Sequence, residues 1–513
     1  MLWACLLLES LPLDVFARGR SVVPDAAAVP FAVTTGGHYP RIVATDTAAE
    51  AAGIGAGMPV ATAYALAPDL VLRERDPGTE AAALAAFATW ATQFTPGVSL
   101  APPDAVLIDI GGSLRLFGGL AALRSRLQQG SAALGYAVRI AIAPTATAAL
   151  LFARANRTAP VTRQDALRDA LAPLPLTLVD ADAACLATLA AAGITTLGAA
   201  RALPRPGLAR RAGTALVETL DRAHGSCPDP RVPFVPPPHY RGRLELPAPV
   251  HDAEALVFAA RRLADEFAGW LLGRGLGALG VTLVLEHDRL GRPARQESTT
   301  RVDFALAVPT REPAHLVGVL RERLIRVALS APVQSLRLES GRCAMLAGRN
   351  LGFLPGDAGK PPVPLLDRLR ARLGEDAVTR IATEAEHRPE RAWSSHALAA
   401  SDERGIDPSP GGRGPTPARH RRSTSVSLPP PLAAGPRPLW LLQTPQPLGA
   451  ELATRPWVLR DGPERIESGW WDGNDIRRDY FVAASPSGAR VWLYRDGRRG
   501  FGDGEWFAHG LFA

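Results

Sequence analysis

Lysine is almost missing from this chain of 513 residues: Lys360 stands alone, and arginine carries nearly all of the positive charge. With 48 glycines, 47 prolines and abundant alanine, that usage bears the mark of a GC-rich genome rather than of selection for guanidinium chemistry. Cysteine is scarce too. Cys5, Cys185, Cys227 and Cys343 lie far apart and match no metal-ligand spacing, which argues against zinc and against a disulfide framework and fits single thiols in a reducing compartment. Long apolar runs are lacking, so no stretch reaches the roughly 20 residues of a membrane-spanning helix. The opening "MLWACLLLES" has no basic leading segment, and Glu9 cuts its apolar run short, so it reads as a buried strand and not as a secretory signal. The expectation is a cytoplasmic protein with no cofactor and no bound metal.

What is present suits a multidomain protein. A hydrophobic fraction of 47% supports sizeable cores, and the length predicts three or four domains. A net charge of +7 with a pI near 9.7 suits a polyanionic partner, or else a solvated basic surface.

Residues 1–170 alternate strand and helix signals. "LWACLLL", "AVLIDI" and "VRIAIA" read as strands; "EAAALAAFATWATQF" and "TATAALLFARA" read as helices, giving an α+β layer. Residues 171–232 change to short helices punctuated by Gly193, Gly198, Pro204 and Pro206. Residues 240–345 run strand, helix, strand, strand, helix, strand, the order of the ferredoxin-like split βαβ unit. In the first of those helices Leu256, Val257, Ala260, Leu263, Ala264, Phe267, Trp270 and Leu271 share a face. Residues 346–393 read as a loop and a helical segment. Residues 394–438, rich in Ser, Pro, Gly and Arg, read as a flexible linker. Residues 439–513 hold six of the ten tryptophans and read as a β-rich module.

Together these segments resemble the Y-family DNA polymerases of translesion synthesis. "AAEAAGIGAGMPVATAYALAPDLVL" is similar to the family's fingers, "FTPGVSLAPPDAVLIDIGG" to the palm segment that carries a Ser-x-Asp-Glu motif, and "IAIAPTATAALLFARA" to the strand and helix that follow. The resemblance implies a palm and fingers over 1–170, a helix-hairpin-helix thumb over 171–232 and a little finger over 240–345. "ERIESGWWDGNDIRRDYFVA" and the closing "WFAHGLFA" are similar to the branch of the family that serves the bacterial damage-induced mutasome.

Two-metal nucleotidyl transfer needs several carboxylates to hold two divalent cations a few ångström apart. The resemblance places one carboxylate on the opening strand and an Asp-Glu pair in the palm. "LWACLLL" has no carboxylate; Asp104 occupies the Asp position, and Ala105 stands where Glu belongs. The fingers change in the same direction. Thr47 and Glu50 stand where the family grips the incoming triphosphate with Tyr and Arg, and a carboxylate there repels phosphate. Of the phosphate-contacting cations, Arg157 alone aligns. The resemblance therefore implies a degenerate pseudo-polymerase. The rival expectation is a weakly active polymerase that recruits Asp109, Glu9 or Asp14, although Asp104 and Asp109 also read as plain turn residues.

DNA binding needs only cations and backbone N–H groups facing phosphates. Candidates are Gly193 and Gly198 at hairpin turns, Arg205, Arg210 and Arg211 beside them, and Arg241, Arg243, Arg337 and Arg342 on little-finger strands; each cation is equally explained as a solvated surface. For docking to the sliding clamp, "RNLGFLPG" offers Leu351 and Phe353, with Arg349 where the family's peptide has Gln; a second match begins at Gln334 within a strand. Trp470 and Trp471, flanked by Asp472, Asp475, Arg477, Arg478 and Asp479, have the make-up of an interface hot spot or of a small core. By resemblance the partners are primer-template or damaged DNA, the sliding clamp, the mutasome's RecA-like accessory protein and an error-prone C-family DNA polymerase. A plain DNA-binding or architectural protein is the remaining alternative.

Overall fold

The computed structural model describes residues 1–19, 29–288, 298–329, 331–346, 363–374, 376–397, 437–448, 457–485, 488–498 and 505–512. The chain divides into two compact units: Met1–Gly374, and a second whose described residues are 376–397 and those from 437 on.

The first unit opens with β1 (Trp3–Leu7), α1 (Leu11–Ala17), β2 (Phe31–Thr34), β3 (Ile42–Thr45), α2 (Thr47–Ala51), α3 (Val60–Leu66) and β4 (Val71–Glu74). It continues through α4 (Pro77–Ala91), β5 (Val98–Ala101), β6 (Ala105–Asp109), α5 (Leu120–Ala133), β7 (Arg139–Ala143) and α6 (Ala146–Arg154). The palm-like sheet has the antiparallel order β5-β6-β1-β7, and the small fingers-like sheet has the order β3-β2-β4. Side chains alternate across a strand, and both faces of the palm sheet are covered. Ala4, Leu6, Val106, Ile108, Ile140 and Ile142 face a core with Phe87 and Trp90 of α4 and Leu123 of α5. Cys5, Leu7, Ala105, Leu107, Ala141 and Ala143 face a second core with Phe152 of α6. The unbroken apolar runs of these strands follow from that double burial.

Short helices come next: α7 (Leu167–Leu171), α8 (Ala183–Ala191), α9 (Leu197–Ala202), α10 (Arg205–Ala212) and α11 (Thr214–His224). Their apolar faces share the core of α6, so the thumb-like part continues the palm and begins at α7, a few residues before the expected boundary.

The little-finger-like part comprises β8 (Arg241–Val250), α12 (Ala253–Gly273), β9 (Leu276–His287), β10 (Thr299–Thr310), α13 (Pro313–Leu324), β11 (Val333–Ser340) and the short β12 (Cys343–Met345). Its βαββαβ order is the one expected, with all pairs antiparallel and both helices contributing to one core. In space the four long strands run β8-β11-β9-β10, so the second and fourth are central, whereas a ferredoxin sheet centres the first and third. Beyond the expected limit at 345, α14 (Val363–Leu373) packs on α13, where buried Asp367 accepts the Ala307 N–H at 2.8 Å and lies 2.8 Å from His315 Nε2.

The second unit contains the hairpin β13 (Thr379–Thr383) and β14 (Trp393–Ala397), and the sheet β15 (Trp440–Pro447), β16 (Val458–Ser468), β17 (Ile476–Ala484), β18 (Arg490–Asp496) and β19 (Trp506–Leu511). The sheet order is β15-β19-β18-β17-β16. Two expectations change. The helix expected within 346–393 is α14, but residues 376–397 form a hairpin that belongs to this unit, with Arg388 beside it buried against Glu386 and Asp472. The linker expected from 394 begins later, since Ser394–Ala397 pair with β13; most of that linker lies outside the described residues.

Within the first unit the little-finger-like and palm-like parts meet through α12 and α4. Trp90 sits between Gly130 of α5 and Gly269 of α12, where a Cβ on either glycine would collide with the indole. Beside it Arg18, just past α1, is buried and spans both parts. Its Nε donates to the Leu134 carbonyl at 2.7 Å, Nη1 to the Tyr136 hydroxyl at 2.7 Å, and Nη2 to buried Glu266 of α12. The Tyr240 hydroxyl lies 3.2 Å from the other Glu266 oxygen. Asp14, one turn earlier on α1, is buried with its Oδ2 unpartnered among the described residues; burial pushes its carboxyl up to about 7, against the opposing pull of Arg18 and the Ala137 N–H.

Removing one partner of a buried ion pair leaves an uncompensated charge, so Arg18→Met should cost about 3–5 kcal/mol of unfolding free energy in denaturant titration. The double variant Arg18→Met/Glu266→Leu should recover most of that loss; a double variant as unstable as the single would contradict this account. Asp14 binds its proton more tightly folded than unfolded. Its contribution to stability is therefore full below about pH 4 and declines as pH rises to about 7, by up to about 4 kcal/mol. Asp14→Asn should flatten that decline in stability measured across the same range.

Candidate active site and nucleic-acid interface

The opening strand and Ala105, where the family resemblance leads one to expect carboxylates, carry apolar side chains. Cys5, Leu7 and Ala105 are buried in the core shared with α6. Burial drives the Cys5 thiol far above its ordinary value, so it is protonated at neutral pH. Asp104 sits in the turn before β6, and its carbonyl accepts the Leu8 N–H at 2.8 Å. Burial raises its carboxyl above the ordinary value, with Arg154 opposing, and its Oδ1 has no hydrogen-bond partner among the described residues.

The other carboxylates are engaged elsewhere. Glu9 pairs with Arg139 of β7, on the flank of β1 away from β6. Asp109, the last residue of β6, accepts the Gly111 N–H at 3.0 Å; it lies five positions along the chain from Asp104, roughly 16 Å. Asp14 lies on α1, one turn before Arg18 and beside the Ala137 N–H. Among the described residues, no group of three or more His, Cys, Asp or Glu side chains is assembled to hold a metal ion.

In the fingers, Thr47 and Glu50 lie on α2, which Asp46 caps by accepting the Ala49 N–H at 2.9 Å. Glu50 is exposed and accepts from the Thr45 hydroxyl at 3.4 Å. Arg157 turns toward α7 instead of a cleft: its Nη1 donates to the Ala170 carbonyl at 3.0 Å, and the guanidinium lies over the Phe152 ring.

The thumb residues separate into two kinds. Gly193 ends α8 with φ +78°, the left-handed conformation that a hairpin turn requires, and open space surrounds it. Gly198 is not at a turn. It lies inside α9, and a Cβ there would come within 2.9 Å of Ala172, so close helix packing explains it. Arg205 grips Asp221 with both guanidinium nitrogens, one at 2.6 Å. Arg210 and Arg211 are exposed in the last turn of α10, and Arg210 Nε donates to the Pro206 carbonyl at 3.3 Å.

On the little-finger sheet, the side opposite the helices carries Arg241, Arg243 and Arg337 together, but with company that strand-by-strand reading missed. Arg241 lies 3.4 Å from Glu339; Arg243 lies 3.3 Å from Glu245 and 3.0 Å from Glu286; Arg337 lies 2.6 Å from Glu286 and 2.9 Å from Glu339. The signal was visible in "RGRLELP" and "RLES", where Glu follows Arg at the two-residue spacing of one strand face. Arg342 is exposed in the turn between β11 and β12.

Arg349, Leu351 and Phe353 lie outside the described residues. The competing segment from Gln334 is the ladder strand β11, bonded on both sides, with Leu336 and Leu338 buried.

In the second unit Tyr480 and Trp492 stack at 3.9 Å in the core, with the Tyr480 hydroxyl 2.8 Å from His509 Nδ1. Burial pushes His509 down to about 4, so it is neutral at physiological pH. Trp470 and Trp471, between β16 and β17, are by contrast 80% and 57% exposed and meet edge to face. Asp472 anchors their turn by accepting from Arg388 at 2.7 and 3.1 Å and from Arg391 at 3.0 Å. Arg477 is exposed. Arg478 is largely covered, donating to Glu390 at 3.0 Å and lying over Tyr494, so its place is structural rather than at an open face.

Residues 19–154, the palm and fingers just described, match the impB/mucB/samB family. Two proteins named Protein ImuB, from Caulobacter vibrioides strains NA1000 / CB15N and ATCC 19089 / CIP 103742 / CB 15, are each 29% identical over 488 residues, spanning 90% of this chain and all of theirs. Among solved structures, DinB from Sulfolobus solfataricus is 15% identical with a TM-score of 0.37, covering 66% of this chain and 98% of its own. A Dbh-Dpo4 chimera of Y-family DNA polymerase is 16% identical with a TM-score of 0.39 over the same shares. The body is α+β, with an added β-rich unit. The chain thus carries an impB/mucB/samB-family domain and is similar to Protein ImuB along nine-tenths of its length.

Proposed function

We propose that this chain is a non-catalytic, polymerase-shaped adaptor: it binds primer-template or damaged DNA and the sliding clamp, and recruits an error-prone C-family polymerase for translesion synthesis and damage-induced mutagenesis. One observation carries the reading. The palm keeps a single carboxylate, Asp104, between an acid-free β1 and Ala105, while Glu9, Asp14 and Asp109 point to other tasks. One half-buried carboxylate whose charge is disfavoured is too little to concentrate two hydrated divalent cations. Exposed Glu50 adds repulsion where a triphosphate would approach.

DNA binding would rest on Gly193, Arg210 and Arg211 of the thumb and on the arginines of the little-finger sheet, with Arg205 available only if it leaves Asp221. It would be sequence-independent and salt-sensitive. Clamp docking is assigned to Leu351 and Phe353 behind Arg349. Trp470 and Trp471, aromatic, adjacent and exposed on an anchored turn, are assigned to the RecA-like accessory protein or the C-family polymerase. Several weak contacts on one chain gain from effective concentration, which suits a hub.

Primer extension on undamaged and lesion-bearing templates, with Mg²⁺ and then Mn²⁺, should give no incorporation above an Asp104→Ala control, with DNA binding intact. Incorporation that the control loses would establish the rival reading, a weakly active polymerase. Trp470→Ala/Trp471→Ala should reduce capture of the partner polymerase or accessory protein at least about tenfold without lowering DNA affinity; unchanged capture would remove that assignment.

A further inference from the structure

The face of the little-finger sheet opposite the helices is ordered in three cross-strand rows across β8, β11, β9 and β10. The first is Arg241, Glu339, Thr282, Asp303; the second is Arg243, Arg337, Val284, Arg301; the third is Glu245, Ser335, Glu286, Thr299. The middle row is cationic, and rows holding carboxylates flank it. Glu286 occupies a particular place in this pattern. Its Oε1 accepts from Arg337 Nη1 at 2.6 Å, and its Oε2 accepts from Arg243 Nη2 at 3.0 Å and from the Ser335 hydroxyl at 2.6 Å. Two guanidiniums from adjacent strands and one hydroxyl converge on a single two-oxygen anion.

That donor set is the one a backbone phosphate would use: arginine forks and a hydroxyl, reading charge and geometry without a base. From this we infer that Glu286 is an internal stand-in for phosphate, filling the strongest backbone-binding position on the sheet until DNA displaces it. Burial works against its charge, but Ser335, Arg243 and Arg337 outweigh that and hold the carboxyl below its ordinary range, so the stand-in is ionised at physiological pH. Glu339 acts beside it, 2.9 Å from Arg337 and 3.4 Å from Arg241.

The inference rests on the proposed reading that this face meets DNA. Its consequence is a raised threshold. A phosphate must exchange with a carboxylate already in place, so a single duplex contact gains little, whereas a DNA held at the same time by the thumb or through the clamp reaches the site at high effective concentration. The internal pairs also keep a strongly arginine-rich sheet from holding every duplex it meets, which a protein of net charge +7 otherwise tends to do.

Fluorescence anisotropy with a labelled primer-template, read across a salt series on the full chain, tests this. Glu286→Gln keeps the size and an acceptor for Ser335 but removes the charge. It should tighten binding about five- to tenfold at moderate salt and steepen the dependence of log affinity on log salt by about one unit. Glu254→Gln, on the same domain but paired with Arg321 on helices α12 and α13, controls for the mere loss of a negative charge. An equal gain in that control would overturn the inference. Arg337→Ala separates the two readings. If it weakens binding while Glu286→Gln changes nothing, the stand-in is refuted and the DNA face survives. If neither variant changes affinity, the sheet is not the DNA face and both readings fail there. Thermal melting of each variant shows that the domain is intact.

Discussion

The buried contact between Arg18 and Glu266 is the constraint on which the arrangement of the first unit depends. It joins residues 248 positions apart, one beside the first helix of the palm and one in the long helix of the little-finger-like part. Each charge is excluded from water, and each costs several kcal/mol to bury alone, so the two must be buried together. Tyr136 and Tyr240 complete the hydrogen bonding from either side. The glycines at 130 and 269 bring Trp90 into the same seam, adding apolar area that the ion pair lacks. Such a junction sets the orientation of α12 against α4 by charge and by shape at once. The sheet that α12 backs, with its rows of Arg and Glu, is thereby oriented as well.

On the proposed non-catalytic reading, apolar packing takes the place that clustered carboxylates hold in an active palm. Close carboxylates repel and are expensive to hold without metal, so an active constellation is stored at a cost in stability. Here the strand positions carry Cys5, Leu7 and Ala105, which pack against α6 on one face while Ala4 and Leu6 pack against α4 and α5 on the other. Apolar packing on both faces holds the sheet together without any clustered carboxylate. A binding surface asks less than a catalytic one, because cations and backbone amides on separate elements can act without sub-ångström alignment.

Charge on this protein is spent largely on its own interior and seams. Arg205 on Asp221, Arg388 on Glu386 and Asp472, and Arg478 on Glu390 are internal partnerships, each fixing a helix, a turn or a hairpin. Arginine serves this use because its planar fork binds carboxylates bidentately and tolerates partial burial. A net basic composition therefore overstates the cations open to a partner. On the second unit, the anchoring of Asp472 by Arg388 and Arg391 leaves Trp470 and Trp471 outward on a stiff turn, while Tyr480 and Trp492 make the core.

Much of this was legible in the sequence. Short unbroken apolar runs such as "LWACLLL" and "AVLIDI", and the 3.6 periodicity of residues 253–273, are local signals, so the palm strands, the long helix and the βαββαβ order could be read directly. The acid-free first strand and Ala105 were equally legible, because the identity of a side chain needs no fold to establish it. What the sequence could not decide was pairing at a distance. That Gly198 packs on Ala172 rather than making a turn, that residues 376–397 belong with the C-terminal sheet, and that Glu286 reaches both Arg243 and Arg337 all depend on strand register and on which helices meet. Local propensity decided the elements and their order. Only the tertiary structure decided which charges cancel, because a guanidinium finds its carboxylate through space, tens to hundreds of residues away.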